Sequence, residues 1–537
     1  MQGLKLFNFL TSYVARTALA LCAVTTLAAY ANAATTPKKG GTLIFGRGGD
    51  SVGLDPAART DGESLNVTDL IFDGLLTLKS GTTEVIPSLA TDWTISKDAK
   101  TYTFNLRTDA KFHDGTPVDA DAVLFSFLRQ KDPKHPAHGF VKSFDYFTAL
   151  GFEKLITDVK KVDADTVAFV LTSPDATFLS TLAMQSFAIV SPTAVMRLKS
   201  DFQNNPIGSG PFVFKRWEKN QKIILTANDN YWGGRPYVDQ VIVRCIPDNS
   251  TRLLEMLAGK IHVMDNPSPD DIGVLETKLK GKVSFGKMPG LNVGYLAMNH
   301  EKKPFDQVKV RQAVAHAINK KAIVDAVYAG YGQAAVNPMP PTLWGYNDRV
   351  GTYDYNPEKA KQLLKEAGFP NGFETTIYAM PVPRPYMPNG RKVAEAIQGD
   401  LGKVGIKVKI ISYEWGTYLE KTGNGEHDMA LLGWTGDIGD PDNFLYVLLD
   451  KDNAVKPAQN ISFYKSDKLH EILVQAKRES DQKKRAELYV KAQSIIFDDA
   501  AIIPIAHSVV VLPYVSNLQD LVMDPTGRRR FAKVWFE

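Results

Sequence analysis

The chain has 537 residues, 44% of them hydrophobic and 23% charged, with a formal net charge of +4. This is a globular composition with enough apolar material for large cores and more than one domain. No run of five like charges occurs, so nothing points to a nucleic-acid surface, and the near balance of charge says little about other partners.

The first 33 residues stand apart. Lys5 and Arg16 are their only charges, "TALALCAVTTLAAYA" is apolar or small, and Ala31 and Ala33 supply the small residues of a leader cleavage site. We read a secretory signal peptide cut after Ala33. Cys22 follows bulky Leu21, a poor context for lipid attachment. No later stretch approaches the roughly 20 apolar residues of a membrane span, so the mature chain is expected to be soluble outside the inner membrane.

From Gly40 onward short β-like runs alternate with helices. "GGTLIFGR" (40–47) and "TYTFNLR" (101–107) read as strands from their alternation and their β-branched or aromatic content. His113 and Asp114 in "KFHDGTP" belong to an Asp-Gly turn. "DADAVLFSFLRQ" (119–130) reads as a helix with Asp119 as N-cap. His135 and His138 straddle Pro136 in a loop, and no cysteine or carboxylate cluster completes a zinc set. Ser209 in "NPIGSGPF" lacks the G-x-S-x-G spacing of a nucleophile elbow and reads as part of a structural turn. Cys245, in "VIVRCIPD", is alone once the leader is removed, so no internal disulfide is expected, and a small buried strand residue is the better reading than a nucleophile. "VKVRQAVAHAINKKAIVDAV" (308–327) puts Val310, Val314, Ala317 and Ile318 on one core-facing helical stripe. "NPEKAKQLLKEAGF" (356–369) has Asn356 as cap, Pro357 at the first helical position and Gly368 as stop. "GIKVKIISY" (405–413) alternates as a half-buried strand. Neither a P-loop nor a strand-linked G-x-G-x-x-G occurs, and no cofactor is expected.

Two loops carry unusual chemistry. In "MPVPRPYMPNGR" (380–391) Pro383 and Pro385 bracket Arg384, so its guanidinium is presented from a stiff, extended backbone. Such display suits a carboxylate ligand, and a proline-rich surface loop with a solvated arginine is the alternative. In "GWTGDIGDPDNF" (433–444), Asp437, Asp440 and Asp442 do not match calcium-loop spacing. Asp440 reads as the N-cap of a following helix, Pro441 as its first residue and Asp442 as a first-turn acid favoured by the helix dipole. Asp437 is left without such a role, beside Trp434 at the mouth of a buried strand, where α/β proteins gather ligands. It reads either as a site for a cation such as an amine or as an ordinary exposed loop acid.

Several segments together resemble one family. "LATDWTISKDAKTYTFNLRTDAKFHDGTPVDADAVLFSF", "NPIGSGPFVF", "YWGGRPYVDQVIV", "MPGLNVGYLAMN", "VRQAVAHAINKKAIV" and "PPTLWGYND" are similar to the family 5 extracellular solute-binding proteins, which feed ABC importers. The resemblance covers essentially the whole mature chain. Its most specific parts, "PVPRPYMPN" and "EWGTYL…GEHDMALLGWTGDIGDPDNF", are similar to the peptide carriers of the family. It implies an α/β, two-lobed periplasmic-binding-protein fold, class II-like, with an extra inserted domain. Lobe I would comprise 34–72, 206–289 and 508–537, the inserted domain 73–205, and lobe II 290–507.

The resemblance further implies a periplasmic, non-enzymatic, monomeric carrier of dipeptides or short peptides, serving an inner-membrane ABC permease and ATPase. The peptide ammonium would sit on Asp437 and its carboxylate on Arg384, with Trp434, Thr435, Gly436, Pro385, Tyr386 and, by a looser match, Thr60 around it. Both charges would face water in an open cleft, and closing on nothing would strand both at several kcal/mol per ion. Relatives pair cysteines after the aspartate loop. This chain reads "LLDKDNAVKPAQNISFYKSDK" there and must hold the loop another way. A haem or glutathione carrier on the same framework is the alternative, and a secreted hydrolase a remoter one.

Overall fold

Long-range pairing is organised around a single 13-residue strand, Ile503–Val515, buried along most of its length. Its first half pairs antiparallel with Asn292–Met298 and Gly332–Ala334, and its second half with Val263–Met264 and Val283–Pro289. The strand therefore lies in the middle of a 12-stranded sheet and joins its two halves. On one side lie Met429–Thr435, Glu374–Tyr378 and Lys407–Ile411, on the other Thr42–Arg47, Gln240–Cys245, Lys222–Ala227 and Phe212–Glu218. Parallel pairs occur where helices cross over, as between Thr42–Arg47 and Gln240–Cys245 and between Glu374–Tyr378 and Met429–Thr435. A separate four-stranded antiparallel sheet, ordered Ala90–Ile95, Thr101–Leu106, Thr166–Leu171 and Ile156–Lys161, is built wholly from the early chain.

This architecture is that of a computed structural model describing residues 36–537. The expected leader and its cleavage site lie outside the described residues. Lys39–Phe536 packs as one compact unit. Among the described residues no helix is long and apolar enough to cross a membrane.

Local chemistry placed most elements where the sequence indicates. Strands occupy Thr42–Arg47 and Thr101–Leu106. Asp119 accepts from the Ala122 amide at 3.0 Å and starts helix Ala120–Lys131. Asn356 accepts from Lys359 N at 2.9 Å, and Gly368 takes the positive φ of 92° that ends this region. Lys407–Ile411 alternates with Val408 buried. The apolar stretch 308–327 is not one helix. Val308–Ala317 ends at extended Ile318, and Asn319 caps a new helix, Lys320–Tyr328, by accepting from Ala322 N. The hydrophobic stripe continues through the break, which is why periodicity alone does not reveal it.

The turn and histidine readings have concrete partners. Ser209 is buried and donates to Asp73 at 3.0 Å. A Cβ on neighbouring Gly208 would lie 2.1 Å from the Ile71 carbonyl oxygen, so this turn needs glycine for close backbone approach. His113 Nε2 meets the Gly210 carbonyl and His138 Nδ1 the Arg129 carbonyl. Cys245 is a free, half-buried thiol, with its pKa pushed up to about 11 by burial.

Candidate functional site

Strand Met429–Thr435 runs beside Asn292–Met298 with Thr435 opposite Asn292, and the Gly436 amide closes the ladder on Leu291 O at 2.8 Å. The chain then turns and enters helix Asp442–Leu449. Asn443, in the first turn of that helix, knits the loop. Its Oδ1 accepts from Trp434 Nε1 at 2.9 Å and from the Asp437 amide at 2.8 Å. Asp437 is thereby aimed with one strong partner, the Tyr146 hydroxyl, which donates to Oδ2 at 2.6 Å. Asn443 Nδ2 adds a longer contact at 3.4 Å. Desolvation pushes the Asp437 pKa up to about 6 against these hydrogen bonds. Burial and the facing carboxylate hold the Tyr146 phenol well above its usual range, so it stays a donor.

The other two acids of the loop differ from the sequence reading. Asp440 does accept from Asp442 N at 3.0 Å, but its carboxylate is also clamped by Arg485 at 2.7 and 2.9 Å in a buried bidentate pair. Asp442 is not a solvated dipole partner. It is 1% exposed, 3.6 Å from Lys477, and burial pushes its pKa up to about 7. Both charges are consumed by side chains from helices far along the chain, which loop composition does not report.

Arg384 is set by a tight four-residue turn rather than an extended run, with Arg384 N bonded to Met387 O and Met387 N to Arg384 O at 3.1 and 3.0 Å. Tyr386 anchors the turn. Its ring lies against Gly433, where a Cβ would approach to 2.3 Å, and its carbonyl accepts from the Tyr328 hydroxyl at 2.7 Å. Arg384 is neither solvated nor unpaired, which corrects both the surface-loop alternative and the stranded-charge expectation. Its Nη1 donates to Glu63 Oε1 at 2.8 Å, and Glu63 also meets Arg47 at 3.2 Å. Burial opposes the Arg384 charge, but Glu63 outweighs it and raises the pKa. Nη2 of Arg384 is buried with no hydrogen-bond partner. The Arg47–Glu63–Arg384 triad keeps one net positive charge, with an unused donor.

These groups line one cavity of about 170 Å³. Thr60, Arg384, Pro385, Tyr386, Trp434, Thr435 and Asp437 are all on its wall. Gly436 is not. It packs outward, and a Cβ there would lie 2.8 Å from Phe444 and 2.9 Å from Leu291. Sequence reading missed Tyr146, Glu63 and Asn443, whose partners lie up to 321 residues away. Asn443 stood inside the "GDPDNF" motif, whereas Tyr146 had no local signal.

The segment after the loop is held without a disulfide. Asn460 is fully buried and donates to the carbonyls of Asp450 and Tyr464 at 3.1 and 2.9 Å while accepting from Ser462. Asn453 donates to Tyr446 O, and His427 Nε2 meets Ile461 O. Asp450, Asp452 and His470 come within ligating distance of one another. Both Asp450 oxygens lie 3.0 Å from His470 Nδ1, and one also accepts from Asp452 N, so this cluster reads as part of the same knot.

A family-wide profile described as bacterial extracellular solute-binding proteins, family 5, middle region, matches residues 84–456. The chain belongs to this family. It is 43% identical over 509 residues to the dipeptide-binding protein of Escherichia coli, covering 92% of this chain and 95% of that one. It is also 40% identical to heme-binding protein A of Haemophilus influenzae, over 99% of both chains. The solved ABC transporter-associated periplasmic binding protein DppA from Helicobacter pylori, in complex with the peptide STSA, superposes with a TM-score of 0.89 at 43% identity, over 93% of this chain and 99% of that one. The two-lobed periplasmic-binding-protein fold read from the sequence is the fold of these neighbours.

Proposed function

We propose that this family 5 protein is the periplasmic carrier of dipeptides or short peptides for an ABC importer, delivering them as a monomer to an inner-membrane permease and ATPase. The observation that carries the reading is a single cavity with an under-compensated carboxylate, Asp437, and an unused guanidinium donor, Arg384 Nη2, both on its wall. A zwitterionic peptide supplies the missing partner to each. Trp434, Thr435, Pro385, Tyr386 and Thr60 wall the ligand, and Gly436 fixes the loop from outside. Recognition of the two termini leaves the side chains to water-tolerant space. The proposal includes export by a leader cleaved after Ala33. It also includes the division into lobe I (34–72, 206–289, 508–537), an inserted domain (73–205) and lobe II (290–507), supported by the separate early sheet and the shared central strand. Closure conditional on ligand follows from leaving Asp437 without a hydrogen-bonded counter-ion otherwise.

The test is a calorimetric competition series of Ala-Ala, acetyl-Ala-Ala, Ala-Ala-amide and Ala-Ala-Ala. Because Glu63 already partners Arg384 while Asp437 has only neutral donors, acetylation is expected to weaken binding more than amidation. The tripeptide adds about 3.3 to 3.6 Å and is expected to bind less well than the dipeptide. Equal competition by free and blocked dipeptides would remove the two-anchor mechanism.

The relative named for haem gives a second reading its specific footing. Against it, the described cavity wall holds no histidine, cysteine or methionine for the iron, and of its two tyrosines Tyr146 is committed to Asp437 and the Tyr386 ring is packed against Gly433. A Soret band on haem titration, or heat on titration with glutathione, would turn the assignment to those ligands. Intact peptide recovered after incubation would agree with carriage rather than hydrolysis.

A further inference from the structure

Helix Gly62–Ile71 lays one face along the cavity, with Glu63, Asn66 and Asp69 among its lining residues, so successive turns face the ligand. Asp69 is the last of these along the helix. Its side chain is 9% exposed, and it also lines a second cavity of about 170 Å³ whose wall includes apolar Leu70, Leu76, Met184 and Phe531. Only Asp69, Gln185 and Arg528 border both spaces. Of these, Gln185 reaches Phe72 O only at 3.5 Å, whereas Arg528 is anchored on Ala183 O at 2.6 Å.

The carboxylates around the cavity are not equally committed. Glu63 is bonded to Arg384, Asp265 to Arg529 at 2.8 Å, and Asp61 caps its helix through Ser64 N at 3.0 Å. Asp69 has ion pairs only beyond hydrogen-bond length, Arg528 Nη1 at 3.6 Å and Arg530 Nε at 3.8 Å. Arg528 spends its other nitrogen on Ala183 O at 2.6 Å and lies between the charges of Asp69 and Asp437. The wall carries Asp61, Glu63, Asp69, Asp265 and Asp437 against Arg384, Arg528 and Arg529, with Arg47 behind Glu63 and Arg530 beside Asp69, so the charges balance in number and differ in how closely they are paired. Asp69 is the member of this set whose cationic neighbours all stand beyond hydrogen-bond length, which leaves its oxygens open to a cation on the ligand.

We propose that the cavity selects peptides bearing a positively charged side chain, and that Asp69 receives that charge at the mouth of the second cavity. The proposal rests on the peptide-carrier reading above. The aliphatic stem of a lysine lies along apolar wall while its ammonium meets Asp69, as long basic side chains do elsewhere. A hydrogen bond to a charged group gives a preference on the order of tenfold.

The experiment compares Lys-Ala and Ala-Lys with their norleucine counterparts, which keep the stem and delete the charge, and with Glu-Ala and Ala-Glu, by calorimetry at pH 7.5 and low salt. The lysine peptide is expected to bind about tenfold tighter than its norleucine partner at one of the two positions. That ratio is expected to fall to near one in Asp69→Asn and to persist in Asp69→Glu. If norleucine or glutamate peptides bind as tightly as lysine peptides, the inference is overturned and the peptide-carrier reading stands. A lysine preference that survives undiminished in folded Asp69→Asn overturns the role of Asp69. Binding of no peptide at all overturns the carrier reading, and this inference with it.

Discussion

At the scale of single residues, Asp437 carries the sharpest consequence. Its pKa is raised from 3.8 to about 6 in the folded protein, chiefly by desolvation. A raised carboxyl pKa contributes stability that is fully present below 3.8 and lost as pH rises through about 6, so the ionised form weakens the ligand-free fold at neutral pH. On the proposed reading, the ammonium of a peptide pairs with that same ionised form. Dipeptide affinity is therefore expected to fall by about tenfold between pH 7 and pH 5, and Asp437→Asn is expected to bind weakly at both. Titration calorimetry across this range checks it, and a flat profile in the wild type would break the link between Asp437 and the ligand. Arg384 differs in having a carboxylate partner already, Glu63 at 2.8 Å.

At the scale of elements, the segment following helix Asp442–Leu449 is held by buried polar side chains. Asn460, fully buried, satisfies two carbonyls and one hydroxyl. Asn460→Ala leaves the Tyr464 carbonyl and the Ser462 hydroxyl proton buried and unpaired, at about 1 to 3 kcal/mol each, while the Asp450 carbonyl keeps the Asn453 amide. The expected loss is roughly 2 to 5 kcal/mol in urea unfolding, with faster hydrogen exchange over residues 450–464. An unchanged midpoint would mean the segment is held mainly by its apolar contacts, among them Ile461 and Tyr464.

At the scale of the whole molecule, stability follows ligand occupancy and not redox state. The described residues contain one cysteine, half-buried and with its thiol pKa at about 11. Reductant is expected to leave the melting temperature unchanged. Ala-Ala at a hundred times its dissociation constant is expected to stabilise the fold by about 2.7 kcal/mol, read as an upward shift in thermal melting. A reductant-dependent shift, or no shift with peptide, would contradict one half or the other. Glu63 and Arg384 belong here too, because their 2.8 Å bond joins the N-terminal segment to the arginine turn of the late chain.

What the sequence determined by itself was whatever is written in neighbouring residues. Asp119 and Asn356 announced their caps, the alternation of 40–47 and 405–413 announced strands, and the two specific motifs pointed to Asp437 and Arg384. Family membership was legible for the same reason, since motif spacing is a property of the chain. Tertiary structure alone decided how charges are shared. Tyr146 on Asp437, Glu63 on Arg384, Arg485 on Asp440 and Lys477 on Asp442 come from remote segments, and each changes what its partner does. The physical reason is that the cost and sign of a buried charge depend on desolvation and on the nearest counter-charge, both of which exist only once distant elements pack.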